Sequence, residues 1–173
     1  LGRPPAAKPG HFAQDGEIGV REKMLGPGRH FYCPIWWERT AVEDLLVKPG
    51  EVAIVTSKLG DQLPVNEFLV DGDIAGTNRA RHQGVLRKVY GPGRYRVNTY
   101  GFVFRTVKTQ IDDVGLQKKF SGWVDIPSGY VGVLTLLASN PQQQRKAGIQ
   151  DNVLPPGIYF MNPREAQVDI VEI

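Results

Sequence analysis

Short runs of alternating apolar and polar residues dominate the chain. In Gly93-Arg94-Tyr95-Arg96-Val97-Asn98, Tyr95 and Val97 fall on one side and Arg94, Arg96 and Asn98 on the other. That is the period of two that sends successive side chains to opposite faces of a strand. Phe102, Phe104 and Val107 against Val103, Arg105 and Lys108 continue the pattern, with a slip of parity near Thr106. Val168, Ile170 and Ile173 alternate less regularly with Asp169 and Glu172. The longest apolar run, Val131 to Ala138, is interrupted by Gly132 and Thr135 and reads as a buried strand. No segment carries a convincing helical period; Arg39 to Leu46 fits equally well as a strand leading into Pro49-Gly50. The pattern predicts a mainly β chain.

The strands recur in order. Gly19-Val20-Arg21-Glu22-Lys23-Met24-Leu25-Gly26-Pro27-Gly28 aligns without gaps with the segments Gly84 to Gly93 and Gly148 to Gly157, at offsets of 65 and 64 residues (84 − 19 and 148 − 84). Each copy is followed by an aromatic strand: Arg29 to Pro34, Arg94 to Asn98, and Ile158 to Pro163. A second motif precedes the later two copies, where Lys48-Pro49-Gly50-Glu51-Val52-Ala53-Ile54-Val55-Thr56 matches Ile126-Pro127-Ser128-Gly129-Tyr130-Val131-Gly132-Val133-Leu134-Thr135 apart from one extra residue at Ser128. Turn chemistry explains the spelling. Proline presets the φ of position i+1, and glycine at i+2 accepts the positive φ of a type II turn. Pro27, Gly28, Pro92, Gly93, Pro156, Gly157, Pro49, Gly50, Pro127 and Gly129 are the predicted turn residues.

The repeats predict three tandem small antiparallel β-units, barrel-like or sandwich-like, in an elongated array. Unit one covers residues 1–47 and unit two 48–109, a linker 110–123 comes next, and unit three covers 124–173. Unit one lacks the opening strand of the others. Leu1-Gly2-Arg3-Pro4-Pro5 is similar to the segment just after that strand in unit two, Leu59-Gly60-Asp61-Gln62-Leu63-Pro64, so the chain reads as truncated at its start and as a piece of something longer.

Ile126-Pro127-Ser128-Gly129-Tyr130-Val131-Gly132-Val133, with Val153-Leu154-Pro155-Pro156-Gly157-Ile158-Tyr159-Phe160-Met161-Asn162-Pro163 after it, resembles the opening of a band 7, or SPFH, domain, the family of stomatin, prohibitin and flotillin. The resemblance covers about 48 residues, roughly 126 to 173, and makes unit three the start of an SPFH-like domain with duplicated β-elements ahead of it. Similar hairpins build the repeats of the major vault protein, so the array is also vault-like. The helical half of an SPFH domain and the coiled coil beyond it are missing from these residues. The resemblance implies a membrane-associated scaffold that oligomerises laterally into a ring or cage and organises membrane or membrane proteins. It would be held to the membrane by segments outside these residues, and it would not be an enzyme.

Composition changes this picture little. At 41% hydrophobic and 23% charged residues the chain is ordinary globular material, and 20 Gly with 13 Pro fit many tight turns. No apolar run reaches the roughly 20 residues of a membrane span, and no secretory signal opens the chain. The net charge of +3 is a mild lean toward anionic partners. The single cysteine, Cys33, excludes an internal disulfide, and its neighbours Phe31, Tyr32, Ile35 and Trp36 suggest a small buried hydrophobe.

Chemistry-bearing constellations are sparse. Arg79, Arg81 and His82, with Arg87-Lys88 soon after, form the densest basic stretch. As a loop and a strand's solvent face it reads as solvated charge sooner than as a phosphate site, and nucleic acid is not expected. Trp36 and Trp37 are neighbours, so on a strand only one ring points inward; the other packs on an adjacent unit, a partner or a lipid surface. His11, His30 and His82 lack metal-ligand spacing, and Asp71-Gly72-Asp73 reads as a turn. No serine sits in a nucleophile elbow, and the Gly-Pro-Gly turns put proline where a phosphate cradle needs an N–H. No cofactor or metal is expected. Asn140 to Lys146 reads as a mobile polar loop. The residues 63–82 form the most individual loop; with Trp36 and Trp37 they support an alternative, a β-rich binding module for a protein or glycan.

Overall fold

The computed structural model describes residues 5–114, 117–140 and 143–173. Their regular structure is β throughout, in eleven strands. β1 (Leu45–Val47), β2 (Val52–Ser57), β3 (Gly84–Tyr90), β4 (Gly93–Tyr95) and β5 (Phe102–Val107) form the first group. β2 lies between β3 and β5, antiparallel to both, and β1 pairs with β4. β6 (Gln110–Val114) and β7 (Gln117–Ile126) come next, then β8 (Tyr130–Leu136), β9 (Gly148–Leu154), β10 (Gly157–Met161) and β11 (Ala166–Glu172). β8 lies between β9 and β11, and β7 pairs with β10. The pairing scheme of β1 to β5 is therefore repeated by β7 to β11.

The likeness extends to details that the spelling alone does not show. The ladder of β2 with β3 is bulged between Ile54 and Thr56, and that of β8 with β9 between Val133 and Thr135, which are the aligned positions. A bulge bends its strand and strengthens the local twist, so both groups curl at the same place. β2 is apolar along most of its length, in keeping with the burial of Val52, Ala53 and Val55. One hydrophobic cluster gathers Val47, Ala53, Val55, Val70, Leu86, Tyr90, Val97 and Phe102 with Phe12 of the first unit. A second gathers Val124, Ile126, Leu134, Leu136, Met161, Ala166 and Val168.

Several expectations need correcting. The sheets stay open and do not close into barrels. Residues 5–44 form no strand ladder and contribute only isolated parallel bridges, Ala6 with Ile18 and Ala13 with Arg21. The reason lies in the pairing: β4 and β10 are held by β1 and β7, the strands ahead of the opening turn, and no described residue supplies a counterpart ahead of residues 29–33. The stretch 110–123, expected as a linker, is a hairpin in which Gln110 to Val114 pair with Ser121 to Gln117. Asn140 bonds Arg145 in both directions across the polar loop; residues 141 and 142 of that loop, like 1–4 at the start, lie outside the described residues.

The turns also divide. Gly50 and Gly129 have φ of +85° and +88°, close to the roughly +80° of a type II turn. Their closing bonds run from Glu51 N–H to Lys48 C=O (3.1 Å) and from Tyr130 N–H to Pro127 C=O (3.2 Å). Gly28, Gly93 and Gly157 instead have φ of +139°, +158° and +153°, so the type II expectation fails there and the Pro-Gly corner is a wider bend.

Gly122 lets β7 change partners, from β6 over 117–121 to β10 over 122–126. Its φ is +81°, and a Cβ there would lie 2.5 Å from the Lys108 carbonyl oxygen, whereas Gly129 at +88° faces open space. Gly122→Ala is expected to cost about 2–4 kcal/mol and Gly129→Ala only about 1 kcal/mol. Urea unfolding of the two variants checks this, with the midpoint falling further for Gly122→Ala at unchanged m-value.

Candidate interaction surfaces

The aromatic strands do two jobs. In the first, each closes its own Pro-Gly bend. Tyr95 Oη donates to Gly91 C=O at 2.9 Å and Tyr159 Oη to Pro155 C=O at 2.9 Å. At the aligned position of unit one, His30 Nε2 lies 2.8 Å from Gly26 C=O, a contact that requires the Nε2–H tautomer.

In the second job, each strand ties its unit to the one before. Asn98 Nδ2 donates to Arg21 C=O at 3.0 Å, and Asn162 Nδ2 to Leu86 C=O at 2.8 Å. Arg21 and Leu86 are aligned residues, as are Asn98 and Asn162. Each Asn Oδ1 also accepts the N–H two residues on, from Tyr100 (3.1 Å) and Arg164 (3.0 Å). Each Asn C=O accepts two further N–H groups, of Gly101 and Phe102 or of Glu165 and Ala166. Beside these bonds the glycine of the preceding bend admits a side chain. A Cβ on Gly91 would lie 2.7 Å from the Phe160 ring, and one on Gly26 3.3 Å from Arg96 Nη1. One seam is thus used twice along the chain. The roles of Asn98 and Asn162 were missed in the sequence, although their shared place in the repeat was the available signal.

Charge reinforces the second seam. Arg87 bridges Asp71 (Nε–Oδ1, 2.8 Å) of its own unit and Glu165 (Nη1–Oε1, 2.9 Å) of the next. Burial alone would lower the guanidinium's pKa, but the two carboxylates outweigh it and hold the group firmly charged. Asp73 meets Lys88 and Tyr90 Oη and accepts the Ile74 N–H at 2.9 Å. Burial would raise its pKa; the bonds from Lys88, Tyr90 and Ile74 prevail and keep it below the ordinary carboxylate value. Burial first and Asp73 second push the Tyr90 hydroxyl well above its usual range. The group is a closed polar knot, with Tyr90 also edge-on to Tyr95 at 5.3 Å.

The expected basic site is not assembled. Arg79 pairs with Glu22 of unit one and lies 5.2 Å over the Phe12 ring. Arg81 and His82 share a cavity of about 220 Å³ with Glu67 and Asp71, whose carboxylates offset the cations. Within the 63–82 loop, Val70 is buried and bonded to β3 on both sides, through Val85 C=O (2.8 Å) and the Arg87 N–H (2.9 Å), while Val65 and Phe68 at the tip are exposed. His11, His30 and His82 are not gathered, and no cluster of metal ligands occurs among the described residues.

Trp36 and Trp37 lie in a bend and not on a strand: both N–H groups reach Cys33 C=O, at 3.2 and 3.1 Å. Trp37 packs on Tyr32 (5.5 Å) and under Arg21 (5.7 Å), and Trp36 is exposed. Cys33, expected buried, is exposed, because no second strand covers the aromatic segment of unit one. This segment stands off from the body and leaves an open cavity of about 3100 Å³ bordered by Phe12, Arg39, Leu46, Arg81 and Asn98, larger than the roughly 300–1,000 Å³ of small-molecule pockets. Comparison with family models, curated proteins and solved structures found no match to the chain.

The two seams differ in how much a lost bond should cost. Asn162→Ala strands the Leu86 carbonyl and the Arg164 N–H, and is expected to cost about 2–4 kcal/mol; Asn98→Ala, at a half-buried site, is expected to cost less. Denaturant midpoints of both variants measure the difference. Because Asp73 is held below its ordinary value of 3.8, its stabilisation is fully present above that pH and fades as the pH falls through the lowered value. Asp73→Asn should therefore show a constant stability deficit at pH 5–7 that closes as wild type is acidified below about 3.8, read from thermal unfolding at each pH.

Proposed function

We propose that the chain is a structural piece of an SPFH-like scaffold, a stave of stacked β-units that assembles side by side with copies of itself beside a membrane. The observation that carries the reading is the doubled seam, Asn98 on Arg21 and Asn162 on Leu86, because it fixes a direction in which units add along the chain. The band 7 resemblance of residues 126–173 supplies the membrane association, and the vault-like hairpins supply the cage. Under this reading the partners are copies of the protein and membrane proteins or lipid, the chemistry is non-covalent, and no cofactor takes part. No helix among the described residues is long and apolar enough to cross a membrane, so contact with lipid is assigned to other segments.

The exposed Val65 and Phe68 favour one second reading, a binding module that takes a protein or glycan on the 63–82 loop beside Trp36 and Trp37. Light scattering after gel filtration of the protein in mild detergent separates the two. A single large, discrete assembly is expected for the scaffold. A monomer at all concentrations overturns lateral assembly and turns attention to ligands of the loop.

A further inference from the structure

Units two and three each sit on the preceding unit through four positions of the aromatic hairpin. In unit three these are Phe160 against Gly91, Asn162 on Leu86 C=O, Arg164, and Glu165 on Arg87. In unit two they are Arg96 beside Gly26, Asn98 on Arg21 C=O, Tyr100 with its ring 6.2 Å from Phe12, and Gly101 closed against Phe12. The same positions in unit one are Phe31, Cys33, Ile35 and Trp36, each 65 residues before its counterpart in unit two (96 − 31 through 101 − 36). Phe31 is 92% exposed, Ile35 85% and Trp36 79%. The local geometry is retained as well, since Cys33 C=O accepts the Trp36 and Trp37 N–H groups just as the two asparagine carbonyls accept theirs. The exposed apolar patch of unit one is therefore a docking face already shaped by the repeat, with no unit beneath it.

The receiving face lies at the other end. Arg21 and Gly26 receive unit two, and Leu86 and Gly91 receive unit three; the third members of these sets are Gln150 and Pro155. Ile149 and Val153 flank Gln150 on edge strand β9 and are 74% and 54% exposed, whereas their counterparts Val85 and Val89 on β3 are half-buried. A seven-residue edge strand bearing exposed Ile and Val is a surface that calls for cover.

We propose that a second copy of the chain provides that cover, with unit one of one molecule docking on unit three of the next. Phe31 then meets the Pro155 bend, Cys33 faces the Gln150 carbonyl, and Ile35 and Trp36 cover β9. The contact is head to tail and does not close on itself, so copies add in a row. Two changes of residue make it weaker than the internal seams: a thiol is a poorer donor than an amide, and Pro155 carries the Cβ that Gly91 lacks. Association is therefore reversible. This row runs along the stave, goes beyond side-by-side assembly, and does not depend on it.

The test uses the whole chain with Gln150→Cys, in which native Cys33 is the only other thiol. A short bis-maleimide is expected to give a ladder of dimers, trimers and higher species through Cys33 and position 150, and Cys33→Ser in the same background should abolish every rung above the dimer. In parallel, sedimentation of the unlabelled protein should show a mass that rises with concentration. Trp36→Gln or Ile149→Gln, both at exposed sites, should weaken association at least about ten-fold, and Cys33→Asn with Pro155→Gly should strengthen it by a similar factor. The proposal is overturned by a protein that stays monomeric with no ladder. It is equally overturned by a discrete oligomer that crosslinks at neither position, an outcome that leaves lateral assembly intact.

Discussion

A carboxamide donating to a backbone carbonyl of the preceding unit organises this chain. Asn162 is buried, and it meets Leu86 where the bulge in the β2–β3 ladder leaves the strand out of register. A carbonyl released from the ladder and shut away from water needs a donor, and the next unit supplies one. Because the same asparagine also binds its own succeeding turn, the bond fixes the fold of its unit and the placement of that unit at once. Asn98 repeats the arrangement one step earlier, at a less buried seam. The glycine opposite each seam, the Arg87 bridge and the Phe12 contact all lie around these two bonds.

The seam accounts for the contrast between the covered and open parts of the chain. Units two and three hold their aromatic strands from one side by an earlier strand, β1 or β7, and from another by a preceding unit. Unit one keeps the bend, the clasp at His30 and the parallel bridge at Ala13 but lacks both supports, so its apolar residues face outward. The exposure of Phe31, Ile35 and Trp36 is thus a consequence of position in the array and not of composition. The same reasoning explains why β9, with the pairing and bulge of β3, has exposed residues where β3 has half-buried ones.

Charged groups in this protein serve the seams and knots more than any ligand. Arg79, Arg87 and Lys88 are each matched to a carboxylate, two of them across unit boundaries, and the raised Tyr90 hydroxyl is a hydrogen-bond donor to Asp73 and not a base. A partly buried cation between two carboxylates contributes direction as well as attraction, since removing either partner leaves a charge uncompensated. A structure whose polar groups are consumed in this way is suited to bearing contacts with other folded units, which is the common ground of the scaffold and binding-module readings.

The sequence by itself determined the β class, the strands after each Pro-Gly corner and the correspondence of units two and three, because alternation and turn chemistry are local and survive without tertiary context. It also carried the alignment of Asn98 with Asn162, but not their task, since a polar residue at a strand end looks the same whether it meets water or a carbonyl 76 residues away. Tertiary structure decided the rest. It turned Gln110 to Ile126 into a hairpin and strand joining two sheets, opened the Pro92-Gly93 corner beyond a type II turn, and set Cys33 in solvent despite its apolar neighbours. It also dispersed Arg79, Arg81 and Arg87 among separate carboxylates. Each of these depends on which distant strand or unit lies alongside, and pairing partners are set by burial and unsatisfied backbone groups across the whole chain, which no local pattern records.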